Sequence, residues 1–152
     1  MTESSIEVRQ ATVEDVDLVV PLFNAYRQFY RQASDPERAE RFLLERFEHK
    51  DSVIFLALRG TIAVGFTQLY PSFSSGAMAR IFILNDLFVV PEARKQGVGS
   101  ALLSAAAQHG RQSSALRLTL STEVTNAKAQ ALCEAQGWQR DTTFCAYHLA
   151  LK

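Results

Sequence analysis

The chain has 152 residues, 47% of them hydrophobic, and its 16 basic and 16 acidic side chains give a formal charge of zero. A length near 150 residues is typical of one domain with a sizeable core, so we expect a single domain over 1–152. A neutral chain without long runs of Lys and Arg cannot neutralise many phosphates, which argues against nucleic acid as a partner.

Membrane insertion and metal binding are also poorly supported by the sequence. No uninterrupted apolar stretch approaches the roughly 18 residues that span a bilayer, and the polar start MTESSIEVRQ does not resemble a signal peptide. We therefore expect a cytoplasmic protein with no membrane partner. Cys133 and Cys145 have neither zinc-site nor CxxC spacing, so we predict two free thiols and no metal.

The first half of the chain predicts a strand, two helices and a β-hairpin. Alternating apolar and charged residues indicate the strand, capping residues begin each helix, and Arg59-Gly60 supplies the hairpin turn. Pro21 lies inside the first helix and predicts a kink or a break near Val20, because proline removes a backbone donor. The predicted bounds are a strand over 6–8, helices over about 12–32 and 36–49, and strands over 52–60 and 61–70.

The second half predicts a central strand followed by alternating helices and strands. A loop rich in Ser and Gly precedes RIFILNDLFVV, whose β-branched and aromatic side chains are typical of a buried strand. The predicted bounds are a loop over 71–79, the central strand over 80–90, a helix over about 98–109, a strand over 116–121, a helix from Asn126 to Gln136 and a final strand over 144–151. The order β-α-α-β-β-β-α-β-α-β predicts one mixed α/β domain.

A glycine-containing turn between the central strand and the next helix is the most informative segment. It reads Arg94-Lys95-Gln96-Gly97-Val98-Gly99-Ser100. Two glycines let the backbone turn sharply and approach a ligand, while the helix presents unpaired N–H groups and the positive end of its dipole. This pattern favours an anion site that suits a pyrophosphate. A tight turn that needs glycine only for its geometry is the alternative.

Two nucleotide-binding motifs are disfavoured at this turn. The P-loop pattern GxxxxGK[ST] does not occur, and a dinucleotide fingerprint GxGxxG would need glycine where Leu102 stands. A nucleotide-phosphate binder that uses the same turn stays open as an alternative.

Two motifs together resemble a known family. The pattern Arg94-x-x-Gly97-x-Gly99, after LNDLFVVPEA and before an Ala/Leu helix, resembles the acetyl-coenzyme A signature of the GNAT superfamily of N-acetyltransferases. Downstream, Asn126-x-x-Ala129-x-x-Leu132 followed by Gly137-Trp138 is similar to the second motif of that family. The resemblance extends over essentially the whole chain, and LNDLFV resembles the branch of diamine acetyltransferases and histone-acetyltransferase-like small-amine enzymes.

The resemblance implies a GNAT-type fold and a binding site for acetyl-CoA. The fold has a mostly antiparallel mixed sheet of 6–7 strands, splayed at the central strand, with about four helices. Backbone N–H groups after the central strand hold the pyrophosphate, the pantetheine arm runs beside that strand, and the later helix lines the cofactor. Core packing for Ala129 and a plain helix cap for Asn126 are the alternatives. The implied cofactor-binding residues are Leu87, Phe88, Val89, Arg94, Lys95, Gln96, Gly97, Val98, Gly99, Ser100, Asn126, Ala129, Gln130 and Cys133.

The implied chemistry is direct attack of a neutral amine on the thioester, with a backbone N–H of the central strand stabilising the oxyanion. An amine with a pKa near 10 must first lose a proton, and Asp86 is the first candidate for the general base, ahead of Glu123. A structural carboxylate is the alternative for Asp86. Cys133 stands where many family members have the tyrosine that protonates the departing thiolate, so Cys133, Tyr147 or solvent takes that role.

The acceptor implied by the resemblance is a primary amine of a small molecule or of a peptide. Residues 1–51 carry a net charge of −4 and residues 52–152 a net charge of +4, which suits an amine on one side and an anionic cofactor on the other. Aromatic side chains that form a cation–π site, or alternatively part of the core, are Tyr26, Phe29, Tyr30, Tyr70 and Phe73. A coenzyme A-binding module with little catalysis is the alternative hypothesis. The resemblance also implies that the protein can form a homodimer.

Overall fold

One mixed sheet of five strands organises the protein in a computed structural model that describes residues 5–152. The strands lie in chain order across the sheet, and every neighbouring pair is antiparallel except the last, which is parallel. Their bounds are β1 Ile6–Gln10, β2 Val53–Arg59, β3 Ile62–Ser74, β4 Ala79–Val89 and β5 Leu118–Thr119.

Residues 5–152 form four α-helices, in agreement with the predicted number. Short 3₁₀ turns precede the first and the third helix. The first helix continues through Pro21, so the predicted break is wrong; buried Val19, Leu22 and Phe23 on both sides of the proline hold the helix against the core. The bounds are α1 Val16–Phe29, α2 Pro36–His49, α3 Val98–Gln112 and α4 Ala127–Ala135.

The helices of the first unit cover both faces of the sheet. Successive side chains of a strand point to opposite faces. Ile54 belongs to the buried cluster that includes Val19 of α1 and Leu43 of α2. Its neighbour Phe55 instead packs against His109 of α3, with ring centroids 5.7 Å apart. Helices α1 and α2 therefore share one face, and α3 covers the other.

The chain divides into a unit that ends at Ser121 and a second unit, Thr122–Lys152, which contains α4.

Two predicted strands differ from the structure. Residues 138–152 carry no helix or strand, so the predicted final strand over 144–151 is wrong: an apolar pattern becomes a strand only where its backbone joins a ladder. The strand predicted over 116–121 shortens to Leu118–Thr119. The sheet consequently has five strands instead of 6–7.

The loop predicted over 71–79 is mostly strand. Strand β3 pairs with β4 as far as Ser74 opposite Ala79, which leaves a turn of four residues. Phe73 and Arg80 lie opposite each other there, and the guanidinium stacks over the ring at 4.8 Å from its centroid. This cross-strand pair extends the hairpin beyond the point where its Ser and Gly content predicts a loop.

Gly65→Ala is expected to destabilise the fold by about 1–3 kcal/mol, because the added methyl group overfills a packed site. A Cβ at Gly65 would lie 2.9 Å from the carbonyl oxygen of Phe88 and 3.2 Å from the side chain of Val98. Urea unfolding measures the effect. Gly76→Ala is the matched control, since a Cβ there has no atom within 4 Å and its stability should hardly change. Equal stability of both variants would contradict this packing.

The Arg9–Asp15 pair should make stability depend on pH in acid. The guanidinium of Arg9 donates to both carboxylate oxygens, at 2.7 and 2.9 Å, and lowers the pKa of Asp15 to about 2. A carboxyl whose folded pKa lies below its unfolded value stabilises the fold above the unfolded pKa and loses that contribution as pH falls. The melting temperature of the wild type should exceed that of Asp15→Asn at pH 7, and the difference should shrink between about pH 4 and pH 2. A difference that is constant over this range would contradict the pair's role.

Candidate active site

The turn between β4 and α3 has the backbone geometry of an anion cradle. Lys95 and Gly97 adopt left-handed conformations, with φ of 63° and 82°. Arg94 folds back so that its Nε donates to the carbonyl oxygen of Val89 at 2.9 Å. Alternation of left-handed and other residues in a turn points successive N–H groups into one concavity.

The start of α3 adds backbone donors to this cradle. The amide of Ala101 donates to the carbonyl of Gly97 at 3.0 Å, and this bond begins the helical ladder, so the helix itself offers no backbone acceptor to the amides of Val98 and Gly99. A Cβ at Gly97 would meet no atom within 4 Å, which shows that the turn faces open space. A pyrophosphate needs backbone donors with room in front of them, and the turn from Gln96 to Gly99 therefore fits it.

The side chain of Gln96 is already engaged within the protein. Its Oε1 accepts a hydrogen bond from Arg59 at the end of β2, and its Nε2 donates to the carbonyl of Glu92 at 3.2 Å. Gln96 therefore braces the turn, and its backbone is the part available to an anion.

Within the first unit, strand β4 lacks a strand neighbour on one side along its second half. It pairs with β5 only at Phe82 and Ile83. The predicted pantetheine segment, Leu87 to Val89, pairs with β3. On the β5 side this segment has no strand partner among residues 5–152. An extended ligand that seeks main-chain hydrogen bonds fits such an edge.

Asp86 is a buried carboxylate held at an irregularity of the sheet. The register of β3 and β4 shifts next to the pair Gln68 and Asp86, which leaves Asn85 as an extra residue on β4. Asp86 is only 2% exposed. Gln68 Nε2 donates to its Oδ2 at 2.5 Å, and Asn85 Nδ2 donates to its Oδ1 at 2.8 Å. Burial raises the pKa of Asp86 despite these hydrogen bonds, which favours a group that accepts a proton nearer neutral pH.

Two tyrosines from different elements face this carboxylate. The hydroxyl of Tyr26 in α1 donates to the carbonyl oxygen of Asn85 at 3.1 Å, and it lies close enough to Asp86 for the carboxylate to raise its pKa. Burial raises the pKa of Tyr26 and of Tyr70 on β3, and the negative charge of Asp86 adds to both shifts. Both phenols therefore stay protonated around neutral pH and serve as hydrogen-bond donors.

The structure separates the other aromatic residues predicted for the acceptor site. Tyr30 packs on Tyr26, with ring centroids 5.0 Å apart. Phe29 is 54% exposed, and the guanidinium of Arg94 lies 5.8 Å from its ring centroid. Phe73 packs with Arg80 on the β3–β4 hairpin. Tyr26 and Tyr70 thus lie near Asp86, Tyr30 packs on Tyr26, Phe29 contacts Arg94 of the turn, and Phe73 belongs to neither group.

The remaining candidates belong to the second unit. Asn126 caps α4 by accepting from the amide of Ala129 at 3.1 Å, and the side chain of Gln130 donates to two carbonyls of the preceding loop. Cys133 is buried, which raises the pKa of its thiol, and Tyr147 is 92% exposed. Cys133 and Cys145 are free thiols. The cofactor and acid roles of these residues stay predictions.

The sequence interpretation missed Gln68 and Asn85. Gln68 is a lone amide in the strand TIAVGFTQLY, where alternation places it on the same face as buried Phe66. A buried amide in a strand needs a partner, and this requirement was the available signal. Its partner is not readable from sequence, because the register of β3 against β4 decides it.

Other classes of site find no support in the part of the chain that the structure describes. No helix there is long and apolar enough to cross a membrane. No group of three His, Cys, Asp or Glu side chains within residues 5–152 could hold a metal ion.

Comparison with known proteins identifies the class to which this fold and site belong. The family model for the acetyltransferase (GNAT) family matches residues 19–138. The chain is therefore a member of the GNAT family of acetyltransferases, which use acetyl-CoA.

Individual relatives agree with the family. The uncharacterized N-acetyltransferase YhfO of Bacillus subtilis (strain 168) is 53% identical over 144 residues, which cover 95% of this chain and 97% of that protein. A crystal structure of a probable acetyltransferase is 44% identical, with a TM-score of 0.92 and coverage of 96% of this chain and 98% of that one. An aminoalkylphosphonate N-acetyltransferase of Salmonella typhimurium (strain LT2) is 29% identical, over 88% of this chain and 85% of that protein. The chain is an acetyltransferase with the mixed α/β GNAT fold.

Proposed function

We propose that this protein transfers the acetyl group of acetyl-CoA to a primary amine of a small molecule. The observation that carries the proposal is the pairing of an anion cradle after β4 with a buried carboxylate, Asp86, on the same strand. The cradle suits an anionic cofactor, and a carboxylate lined by Tyr26 and Tyr70 suits an ammonium group through charge and cation–π attraction.

The proposed proton acceptor is Asp86, acting through Tyr26. A carboxylate that is 2% exposed has almost no surface for an acceptor amine, whereas the neighbouring Tyr26 is less buried and its hydroxyl bonds to the carbonyl of the adjacent Asn85. The phenolic O–H of Tyr26 turns from the carbonyl of Asn85 to Asp86 and gives its proton to the carboxylate, while the Tyr26 oxygen takes the proton from the breaking N–H bond of the ammonium. The freed electron pair on nitrogen then attacks the thioester carbon. As the C–S bond breaks, the thiolate takes up the second proton, which the nitrogen loses when the amide forms. Because no phenolate accumulates, the raised pKa of Tyr26 does not block this transfer.

A small acceptor is favoured by the size of the aromatic group and by one relative. Tyr26 and Tyr70 lie beside a single carboxylate, which suits one amino group. The Salmonella relative is named for an aminoalkylphosphonate, a small amine.

We also propose a cytoplasmic location and a homodimeric state. Cell fractionation tests the location, and measurement of the mass in solution tests the oligomeric state.

Release of free coenzyme A in the presence of an amine panel tests the proposal. The panel spans polyamines, aminoalkylphosphonates, amino acids, aminoglycosides and peptides, and mass spectrometry of each product locates the acetyl group. We expect turnover with one or more small primary amines. Turnover with peptides alone would make the protein a peptide acetyltransferase. Thermal stabilisation by acetyl-CoA with no thiol release across the panel would indicate a binding module instead.

A further inference from the structure

Gln68 is the residue whose placement the fold alone explains least. Its side chain is fully buried, at 0% exposure, in the middle of β3. Its Nε2 donates to the carboxylate of Asp86, and its Oε1 has no hydrogen-bond partner within the described part of the chain. A buried carbonyl oxygen without a donor destabilises a fold, so an apolar residue of similar size would suit the core better.

Its neighbour Thr67 shows what a structural hydrogen bond at this point looks like. Thr67 is equally buried, and its Oγ1 donates to the backbone carbonyl of Asp86 at 2.8 Å. Thr67 thus secures the main chain of β4, whereas Gln68 reaches only the carboxylate. Adjacent residues of one strand therefore hold two different parts of the same aspartate.

The contact with Gln68 completes a pair of amides around the carboxylate. Gln68 occupies Oδ2 and Asn85 occupies Oδ1, so that both oxygens accept an amide N–H. Two such donors fix the plane of the carboxylate and favour its charged form, which is the form that accepts a proton. The uncompensated Oε1 is then the structural cost of keeping an amide donor at this position.

We propose that Gln68 is a positioning residue that holds Asp86 in the charged, correctly oriented form needed for acceptance of the amine proton. This inference rests on the proposed function, because it assigns Gln68 a part in the proton transfer. The other titratable groups that face Asp86 are the phenols of Tyr26 on α1 and Tyr70 on β3. The charges of Arg46 and Asp51, near the end of α2, also affect the pKa of Tyr70. Neither phenol ionises near neutral pH, so a titration of this cluster in that pH range reports the ionisation of Asp86.

Gln68→Met tests the inference, because methionine has a similar length and no amide. Loss of one N–H donor should move the acid limb of the kcat/KM profile for the amine up by about one pH unit, since one hydrogen bond to the charged form contributes about that much. At a pH below the limb, kcat/KM for the amine should fall about tenfold, while KM for acetyl-CoA should not change. Thr67→Val is the matched control, because it removes a buried hydrogen bond to the same residue and should leave the limb in place.

Gln68→Glu keeps the inference testable if the methionine variant does not fold. A second carboxyl group beside Asp86 removes the donor and adds repulsion, so the limb should move further up than in Gln68→Met. An unmoved limb in a folded Gln68 variant, or an equal shift in Thr67→Val, would overturn the inference.

A titration without substrates separates failure of the inference from failure of the proposed function. Carbon NMR can follow the titration of the Asp86 carboxyl, whose signal is assigned by its disappearance in Asp86→Asn. The pKa obtained in this way should rise in Gln68→Met by the same amount as the acid limb. If that shift occurs and no amine in the panel is acetylated, the Gln68–Asp86 coupling stands and the proposed function fails. If the enzyme acetylates amines and the Asp86 titration does not move, the inference about Gln68 fails.

Discussion

Asp86→Asn should lower kcat/KM for the acceptor amine by about 10²–10⁴, the usual contribution of a general base, and leave the affinity for acetyl-CoA unchanged. The variant should fold, because asparagine has the shape of aspartate and the orphan oxygen of Gln68 can accept from the new amide after a flip of the Gln68 side chain. Steady-state rates with the best amine of the panel measure the loss, and the melting temperature checks the fold.

The pH dependence of the same variant gives a second measurement. Burial raises the pKa of Asp86, so the wild-type rate should climb through an acid limb that lies above the usual range of an aspartate. Asp86 accepts a proton only when charged, and therefore activity is lost as pH falls through that limb. The limb should vanish in Asp86→Asn and persist in Asp17→Asn, an exposed carboxylate of α1. A wild-type profile in Asp86→Asn would reduce Asp86 to a structural carboxylate.

The cradle could be read from the sequence because its determinants are local. Gly97 needs a left-handed backbone, the following Ala and Leu residues form a helix, and the preceding apolar run forms a strand. Each of these depends on residues within a few positions of the turn. Short-range chemistry therefore predicted both the sharp glycine turn and the element on each side of it.

The surroundings of Asp86 could be read only in part. The sequence indicated Asp86 on the central strand and Tyr26 among the aromatic residues of the acceptor site, but not the amide pair. Gln68 meets Asp86 because the register of β3 shifts beside them, and Asn85 turns toward the carboxylate because it is the extra residue. Such a shift arises from packing between distant segments, and no local residue preference encodes it.

The strand errors have the same origin. Strand β3 runs past Pro71 because the Phe73–Arg80 pair holds the hairpin closed, and the apolar run over 144–151 forms no strand because its backbone joins no ladder. Alternation and composition describe which residues suit a strand, whereas the partner strand decides whether one forms.

The cradle and the end of helix α1 meet at Arg94. Its Nε is fixed by the carbonyl of Val89, and its guanidinium lies 5.8 Å from the ring of Phe29 and 5.7 Å from that of Phe88. Phe29 is at the end of the same helix that carries Tyr26. The first residue of the glycine motif thus ties the cofactor turn to the helix that lines the proposed amine site, which gives the two substrates a fixed relation.

Gly97→Glu should weaken acetyl-CoA binding on the order of 100-fold, because it places a carboxylate where the pyrophosphate is proposed to lie and like charges in contact cost several kcal/mol. A side chain at Gly97 points into open space, so the variant creates no internal clash. The left-handed backbone adds strain of about 1–2 kcal/mol for any residue other than glycine, and this term must be separated from the charge effect. Calorimetric titration with acetyl-CoA measures the affinity directly.

Gly97→Lys separates the two terms, since lysine brings the same backbone strain with the opposite charge. Its affinity should stay within a few fold of the wild type or improve, and Gly97→Ala should lie between the two charged variants. All three should show a similar loss of melting temperature, because the strain at a φ of 82° is common to them. Equal affinities of the Glu and Lys variants would place the anion elsewhere. A graded order, with Glu weakest and Lys strongest, would locate the phosphates of the cofactor at the start of α3.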